Sequence, residues 1–282
     1  MSELSLVSPP SVEEARAVLG NGARALAGGT ELVPLVRDGL VDATTLVDVR
    51  ALVPTGIAPD RIGAGTTLAE LERSDSVPDA LREACRLAAS PQLRNMGTIG
   101  GNLRQATRCW YWRLHFPCYL HGGGRCHARE GEHREHAIFG NDRCASAHPS
   151  DPAAALLALG ATVETDRRSL SLSEVYRLPT DENRDVVSLA PDELVLWLDV
   201  PRPDASVYLK AMDRRRFAFP LVGVAAARFG ADVRLALAGV APIPWACPSS
   251  SALEESTPLP GTAYKVEIAR ALVARALEAV AR

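Results

Sequence analysis

The chain has 282 residues, 47% of them hydrophobic and 23% charged, with a formal net charge of −3. That length accommodates one large domain or two modest ones around a real core, and the charge balance offers nothing to a polyanion such as nucleic acid. No apolar run approaches the roughly 18 residues a membrane helix needs. The opening MSELSLVSPPSVEEA has neither the basic nor the apolar region of a signal peptide. A cytoplasmic, reducing setting is therefore expected, in which the six cysteines are metal ligands or free thiols rather than disulfides.

In chain order, SVEEARAVL predicts a short helix, with Ser11 as N-cap and Glu14 completing a capping box. An apolar stretch follows, ends at Ala27 and is cut off by Gly28 and Gly29. ELVPLVRDGL predicts a short helix, TTLVDVR and RIGAG two strands, and TLAELERS and ALREACRLAAS two further helices. Cys85 falls on the apolar face of the last and is expected to be a core thiol. HPSDPAAALLALGATVET predicts a capped Ala/Leu helix and a strand. ELVLWLDVPRP, ASVYLKAMD, LVGVAAARF and VRLALAGVAPIPW predict strands of one antiparallel sheet. The closing EIARALVARALEAVAR predicts an amphipathic helix with Ile268, Leu272, Ala276 and Ala279 on one side. The polar segment DENRDVVSLAPDE places a domain boundary near residue 178. No GxGxxG follows a strand with an acidic residue some 20 positions on, so a Rossmann site is disfavoured and an α+β protein expected.

Two glycine turns stand out. In ALAGGTELVPL, Gly28 and Gly29 free the backbone, and Glu31-Leu32 open a helix whose first N–H groups can face an anion. MGTIGGNLRQ offers a second compact turn at Thr98, Gly100, Gly101 and Asn102. Either alone is commonplace; together they fit an extended pyrophosphate cofactor held from both sides.

Directly after the second turn, Cys109, Cys118, Cys126 and Cys144 crowd into 36 residues, spaced C-x8-C-x7-C-x17-C. Structural zinc sites usually pair ligands as C-x2–4-C, and no such pair exists here. An iron–sulfur cubane tolerates wider spacing. On spacing alone an iron–sulfur cluster and a combination of zinc with free thiols stand about level. His115, His121, His127, His133 and His136 share the loop, as do Trp110, Tyr111, Trp112, Phe116, Tyr119 and Phe139. The aromatics suit either exclusion of water from a cluster or a small satellite core. So long a connection argues for ordering by a metal. HPSD, from His148 to Asp151, lacks a nucleophile elbow and is expected to cap a helix first and contact a cofactor second.

AGGTELVPLVRDGL, IGAGTTLAEL, SPQLRNMGTIGGNLRQ and HPSDPAAALLALGATV resemble the FAD-binding subunit of the molybdenum hydroxylases, the xanthine dehydrogenase group. RCWYWR, FPCYL and GGGRCHAREGEHREHAIFG resemble the extra loop of the branch that includes the flavin subunits of 4-hydroxybenzoyl-CoA reductase and periplasmic aldehyde oxidoreductase. The resemblance implies a two-subdomain α+β fold like that of vanillyl-alcohol oxidase over residues 1–177, with the iron–sulfur loop 104–146 inserted. A C-terminal domain of antiparallel sheet plus helix would then occupy 178–282. It implies FAD, with its diphosphate between the two glycine turns and contacts from Leu26, Ala27, Gly28, Gly29, Thr30, Glu31, Leu32, Thr98, Gly100, Gly101, Asn102, Asp151 and Lys210. It implies a [4Fe–4S] cluster on Cys109, Cys118, Cys126 and Cys144. It implies partners, a molybdopterin-binding large subunit and a [2Fe–2S] small subunit, and co-export with a signal-bearing partner is compatible with it. The activity implied is that of an FAD-dependent oxidoreductase subunit passing electrons to NAD+, a quinone or another acceptor, with no catalytic acid or base in this chain. One departure is visible: between IPWACP and GTAYKV only SSSALEESTPLP stands where the family carries about another helix. Two rivals remain, a free-standing FAD-dependent oxidoreductase with its own small substrate and a non-catalytic scaffold.

Overall fold

Three short parallel strands come first in the computed structural model, which describes residues 4–282; the start of the segment read above for a leader lies outside them. Their order is Ser5–Val7, Thr45–Asp48, Ala23–Leu26. Parallel neighbours need crossovers, and helices Val12–Val18 and Leu32–Arg37 supply them. Ser11 caps the first, its Oγ accepting from Glu14 N at 3.1 Å, but the return bond that would complete a capping box is not made. Thr67 and Glu70 do make both halves, ahead of helix Leu68–Arg73.

A second sheet has five strands in the order Ile57–Ala58, Arg61–Gly63, Val195–Asp199, Thr162–Thr165, Ser169–Ser171, all antiparallel. Its central strand corrects one expectation. Val195–Asp199 does not join the strands that follow it; it pairs with Arg61–Gly63 and Thr162–Thr165. The second sheet therefore draws strands from both sides of the polar segment near residue 178. That segment lies against the cysteine loop.

The remaining three predicted strands do form one antiparallel sheet, the last of them divided into two strands, in the order Trp245–Ala246, Asp232–Ala238, Val222–Phe229, Ala205–Ala211. Both faces are covered, and the side-chain alternation shows by what. Val222, Val224, Ala226, Leu235 and Leu237 join a core with the C-terminal helix Tyr264–Ala281, while Ala225, Ala227, Ala236 and Ala238 pack in the core that contains helices Asp79–Leu87 and Asp151–Leu159. Helix Asp151–Leu159 is buried nearly all round; its alanines let a sheet approach closely, and Gly160 ends it in the left-handed conformation at φ +70°. The C-terminal helix buries Ala269, Leu272, Val273, Ala276 and Val280. The expected stripe was offset: Ala279 is exposed and Ile268 half-buried. The short segment after Cys247 forms a 3₁₀ turn, Ser250–Glu255, whose Leu253 is buried beneath that helix.

Candidate functional site

The two glycine turns meet. A Cβ on Gly28 would lie 1.8 Å from the Met96 carbonyl oxygen, and one on Gly97 would lie 3.4 Å from Thr30 Oγ1. Gly29, at φ +70°, turns the chain left-handedly into helix Leu32–Arg37. The backbone N–H groups of Gly28, Gly29, Thr30 and Glu31 have no partner among the described residues. Leu26, Ala27 and Leu32 flank them, half-buried. This first turn is a set of free donors.

The second turn is different. Gly100 N donates to Ala64 O at 2.9 Å, Asn102 N to Thr98 O at 2.8 Å, and Gly101 N to the capping Thr98 Oγ1 at 3.2 Å. The amides of Gly100, Gly101 and Asn102, expected as donors to a cofactor, are occupied within the chain. What it offers is closeness: a Cβ on Gly100 would stand 2.9 Å from Ala64 Cβ, and Gly101 is exposed. Asn102 Oδ1 accepts from Ser150 Oγ at 2.5 Å, tying this turn to the cap of the buried helix, where Ser150 also accepts from Ala153 N at 3.0 Å.

Asp151 and Lys210 are brought together, but with each other. Asp151 Oδ2 takes Lys210 Nζ at 2.8 Å and Oδ1 takes the Tyr208 hydroxyl at 2.5 Å. Lys210 gives its other two protons to Leu87 O and Ala218 O, at 3.0 and 2.8 Å. Burial, opposed by Lys210 and Tyr208, pushes the Asp151 carboxyl above its usual range. Both side chains are enclosed, so the Lys210 ammonium spends its three protons within the chain and the pair ties the buried helix to strand Ala205–Ala211.

Glu31 also departs from expectation. Its carboxylate turns toward the cysteine loop, accepting from Ala106 N at 3.2 Å, Arg108 at 2.5 Å and Arg113 at 2.6 Å. The residue that opens the helix after the first turn therefore also holds the segment around Cys109.

Within that loop Cys109, Cys118, Cys126 and Cys144 line one small cavity, with Tyr111, Trp112, Tyr119, His127 and Ser146 around them. All four are free thiols. Cys126 Sγ accepts from Ala145 N at 3.4 Å; this bond and the neighbouring Cys144 thiol favour its thiolate, while Cys144 is pushed the other way. Burial pushes Cys109 up to about 11. Among the described residues no three His, Cys, Asp or Glu side chains converge closely enough to hold one metal ion. The loop carries little regular structure: helix Trp110–Arg113 and 3₁₀ turns Tyr119–His121 and His127–Arg129. It is no satellite, since Ile138 and Phe139 enter the core of the C-terminal unit. Arg184, from the polar segment, stacks on Tyr119 at 4.4 Å and donates to Tyr119 O and Gly123 O, each at 2.7 Å. Nothing in the sequence singled out Arg184, Arg108 or Arg113, because their partners lie far away along the chain. Cys85 is fully buried as expected, and burial raises its thiol. His136 is held down to about 4, by burial first and by Lys265 second.

A left-handed glycine turn with free amides is thus joined through Glu31 to a cavity walled by four thiols. Residues 2–203 match the family described as the FAD binding domain in molybdopterin dehydrogenase. The chain belongs to that family. It is 38% identical over 244 residues to the aldehyde oxidoreductase FAD-binding subunit PaoB of Escherichia coli (strain K12), covering 79% of this chain and 76% of that one. It is 42% identical over 105 residues to the carbon monoxide dehydrogenase medium chain of Afipia carboxidovorans, covering 33% of this chain and 36% of that one. Among solved structures, the carbon monoxide dehydrogenase of Hydrogenophaga pseudoflava lacking its Mo-pyranopterin moiety superposes with a TM-score of 0.70 at 23% identity, over 99% of this chain and 97% of that one. Quinoline 2-oxidoreductase from Pseudomonas putida 86 gives 0.69 at 20% identity, over 100% and 98%; at these identities the likeness is one of fold. No helix among the described residues is long and apolar enough to cross a membrane.

Proposed function

We propose that this chain is the FAD-binding electron-transfer subunit of a molybdenum hydroxylase-type dehydrogenase and that Cys109, Cys118, Cys126 and Cys144 hold a [4Fe–4S] cluster beside the flavin. The observation that carries the proposal is the four-thiol cavity, tied through Glu31 to the glycine turn. Four thiols around a cavity, rather than on a point, suit a cubane in which each thiolate takes its own iron. The free amides of Gly28 to Glu31 suit the FAD diphosphate, and Gly28 allows the closest approach. Bound FAD supplies two-electron delivery to an acceptor such as NAD+ or a quinone. The protein positions it: Thr98 caps the helix behind the second turn, and Asn102 and Ser150 fix that turn to the buried helix. Partner subunits follow from the relatives, which are named as an FAD-binding subunit and a medium chain. They would be a molybdopterin-binding large subunit and a [2Fe–2S] small one. Six free thiols favour a reducing, cytoplasmic site of assembly.

The test is an absorption spectrum of anaerobically purified full chain with iron, sulfide and flavin quantified on one sample. Flavin bands on a broad brown shoulder with about four irons per chain are expected. Cys118→Ser should lose the shoulder and most of the iron while flavin stays bound. Flavin without iron in the unsubstituted chain rejects the cluster, and a colourless protein that FAD does not reconstitute rejects the whole proposal.

A further inference from the structure

Four of the loop's five histidines face backbone carbonyls: His115 at Asp38 O (2.9 Å), His121 at Trp112 O (2.8 Å), His127 at Pro117 O (3.4 Å) and His133 at Gly131 O (2.7 Å). His136 does not. Its Nε2 lies 3.2 Å from Cys109 Sγ, its ring is 2% exposed, and Trp110 packs edge-on against it at 4.7 Å. Its Nδ1 is buried without a partner among the described residues. His136 is absent from the lining of the thiol cavity, so it approaches the Cys109 sulfur from behind.

We infer that His136 is a positioning residue that donates an Nε2–H hydrogen bond to the Cys109 thiolate and thereby raises the reduction potential of the cluster proposed above, on which this inference rests. A neutral imidazole carries one N–H. Placed on Nδ1, that proton would be a buried donor with no acceptor, and the Nε2 lone pair would face an anionic sulfur; both are costly. Placed on Nε2, it meets the sulfur and leaves only a bare acceptor unpaired. An N–H dipole aimed at a ligating sulfur stabilises the negative charge added on reduction, and hydrogen bonds to the sulfurs and exclusion of solvent are what set cluster potentials. Trp110 supplies the exclusion on this side. Two of the remaining cysteines have other partners: Cys126 takes the Ala145 amide, and Cys144 lies 3.3 Å from the Ser146 hydroxyl. The imidazole is thus a tuning contact peculiar to Cys109.

The test compares the full chain with His136→Phe, which keeps a ring and removes the donor, and His136→Gln, which retains an N–H. Iron, sulfide and flavin are counted first. The cluster is then titrated potentiometrically by EPR, and the flavin by absorbance. The expected result is full iron in all three proteins, a more negative cluster midpoint in His136→Phe, substantial recovery in His136→Gln, and an unmoved flavin couple. Pulsed EPR of the unsubstituted chain should also show one weak histidine-nitrogen coupling. An unchanged midpoint with iron intact overturns the inference and leaves the cluster standing. A coupling of the strength of a direct Fe–N bond overturns it too, making His136 a ligand. If His136→Phe sheds its iron, the pulsed spectrum decides, and absence of the weak coupling overturns the inference. Absence of iron from the unsubstituted chain removes the cluster and this inference together.

Discussion

At the scale of single residues, Gly28 is the sharpest constraint. With Met96 O only 1.8 Å from where a Cβ would sit, an alanine must push the two turns apart. Overpacking of this kind costs about 1–3 kcal/mol, which for a chain of this size lowers Tm by about 2–10 °C. Gly28→Ala is expected to show that loss and to retain less than about a tenth of the flavin, read by fluorescence after denaturation; full FAD occupancy would remove the turn from the cofactor site. Asp151 is the opposite case. HPSD signals a helix cap, and Ser150 does cap, because a capping bond reaches only three residues along the chain. The partners of Asp151 lie 57 and 59 residues further on, and no local pattern announces them. Breaking a buried pair typically costs about 3–5 kcal/mol. Asp151→Asn should destabilise by about that much in denaturant melts, with flavin affinity unchanged in the protein that remains folded.

At the scale of elements, the helices and most strands were legible because caps and alternation are local signals. Strand pairing is not local. Val195–Asp199 reads like the strands after it, a mainly apolar run, yet its neighbours come from residues 61–63 and 162–165. The cysteine loop shows the same division. Its four thiols were legible from residue type, but the clamps that shape it were not. Glu31 holds it near Cys109, and Arg184 holds it near Cys118 from 65 residues beyond Tyr119. Arg184→Ala removes two hydrogen bonds to carbonyls and a contact with the Tyr119 ring. The expected outcome is an unchanged far-UV spectrum, faster proteolysis between residues 119 and 125, and iron lost several-fold faster in air. Iron retention equal to the parent would show that the strap is incidental.

At the scale of the molecule, acid should act through His148. It sits beneath Tyr176 at 4.9 Å, bonds Ala241 O through its own amide, and has no partner for Nε2 among the described residues. Burial holds its folded-state pKa down to about 3, against about 6.5 in an unfolded chain. Below about 6.5 the unfolded chain takes up a proton that the folded one refuses. Stability is therefore full above that pH and falls as pH drops toward 3, by up to about 1.4 kcal/mol per pH unit from this group. Glu193 adds a second window: gripped first by Arg168, it is held down to about 2, so its contribution is present above about 4.3 and lost between there and 2. His148→Phe should flatten the decline of Tm between pH 6.5 and 4.5 and leave the lower limb intact; an unaltered profile would assign the acid sensitivity elsewhere.

Beyond its ties to Glu31 and Asp38, the cysteine loop leans on chain that is synthesised after it. Ile138 and Phe139 donate to Val240 O, Asn141 reaches Thr257 O, Arg184 grips the Tyr119 turn, and Lys265, seventeen residues before the last, bonds Glu135 O. A ribosome delivering residues in order exposes all four thiols long before the residues that fix their geometry emerge. Domains acquire structure from the N-terminus during synthesis, so the glycine turns can form early while the thiols wait. A cluster of the kind proposed would then be fitted only after residues 240–265 have folded against the loop, and a cell short of iron would accumulate a folded, iron-free form rather than a misfolded one.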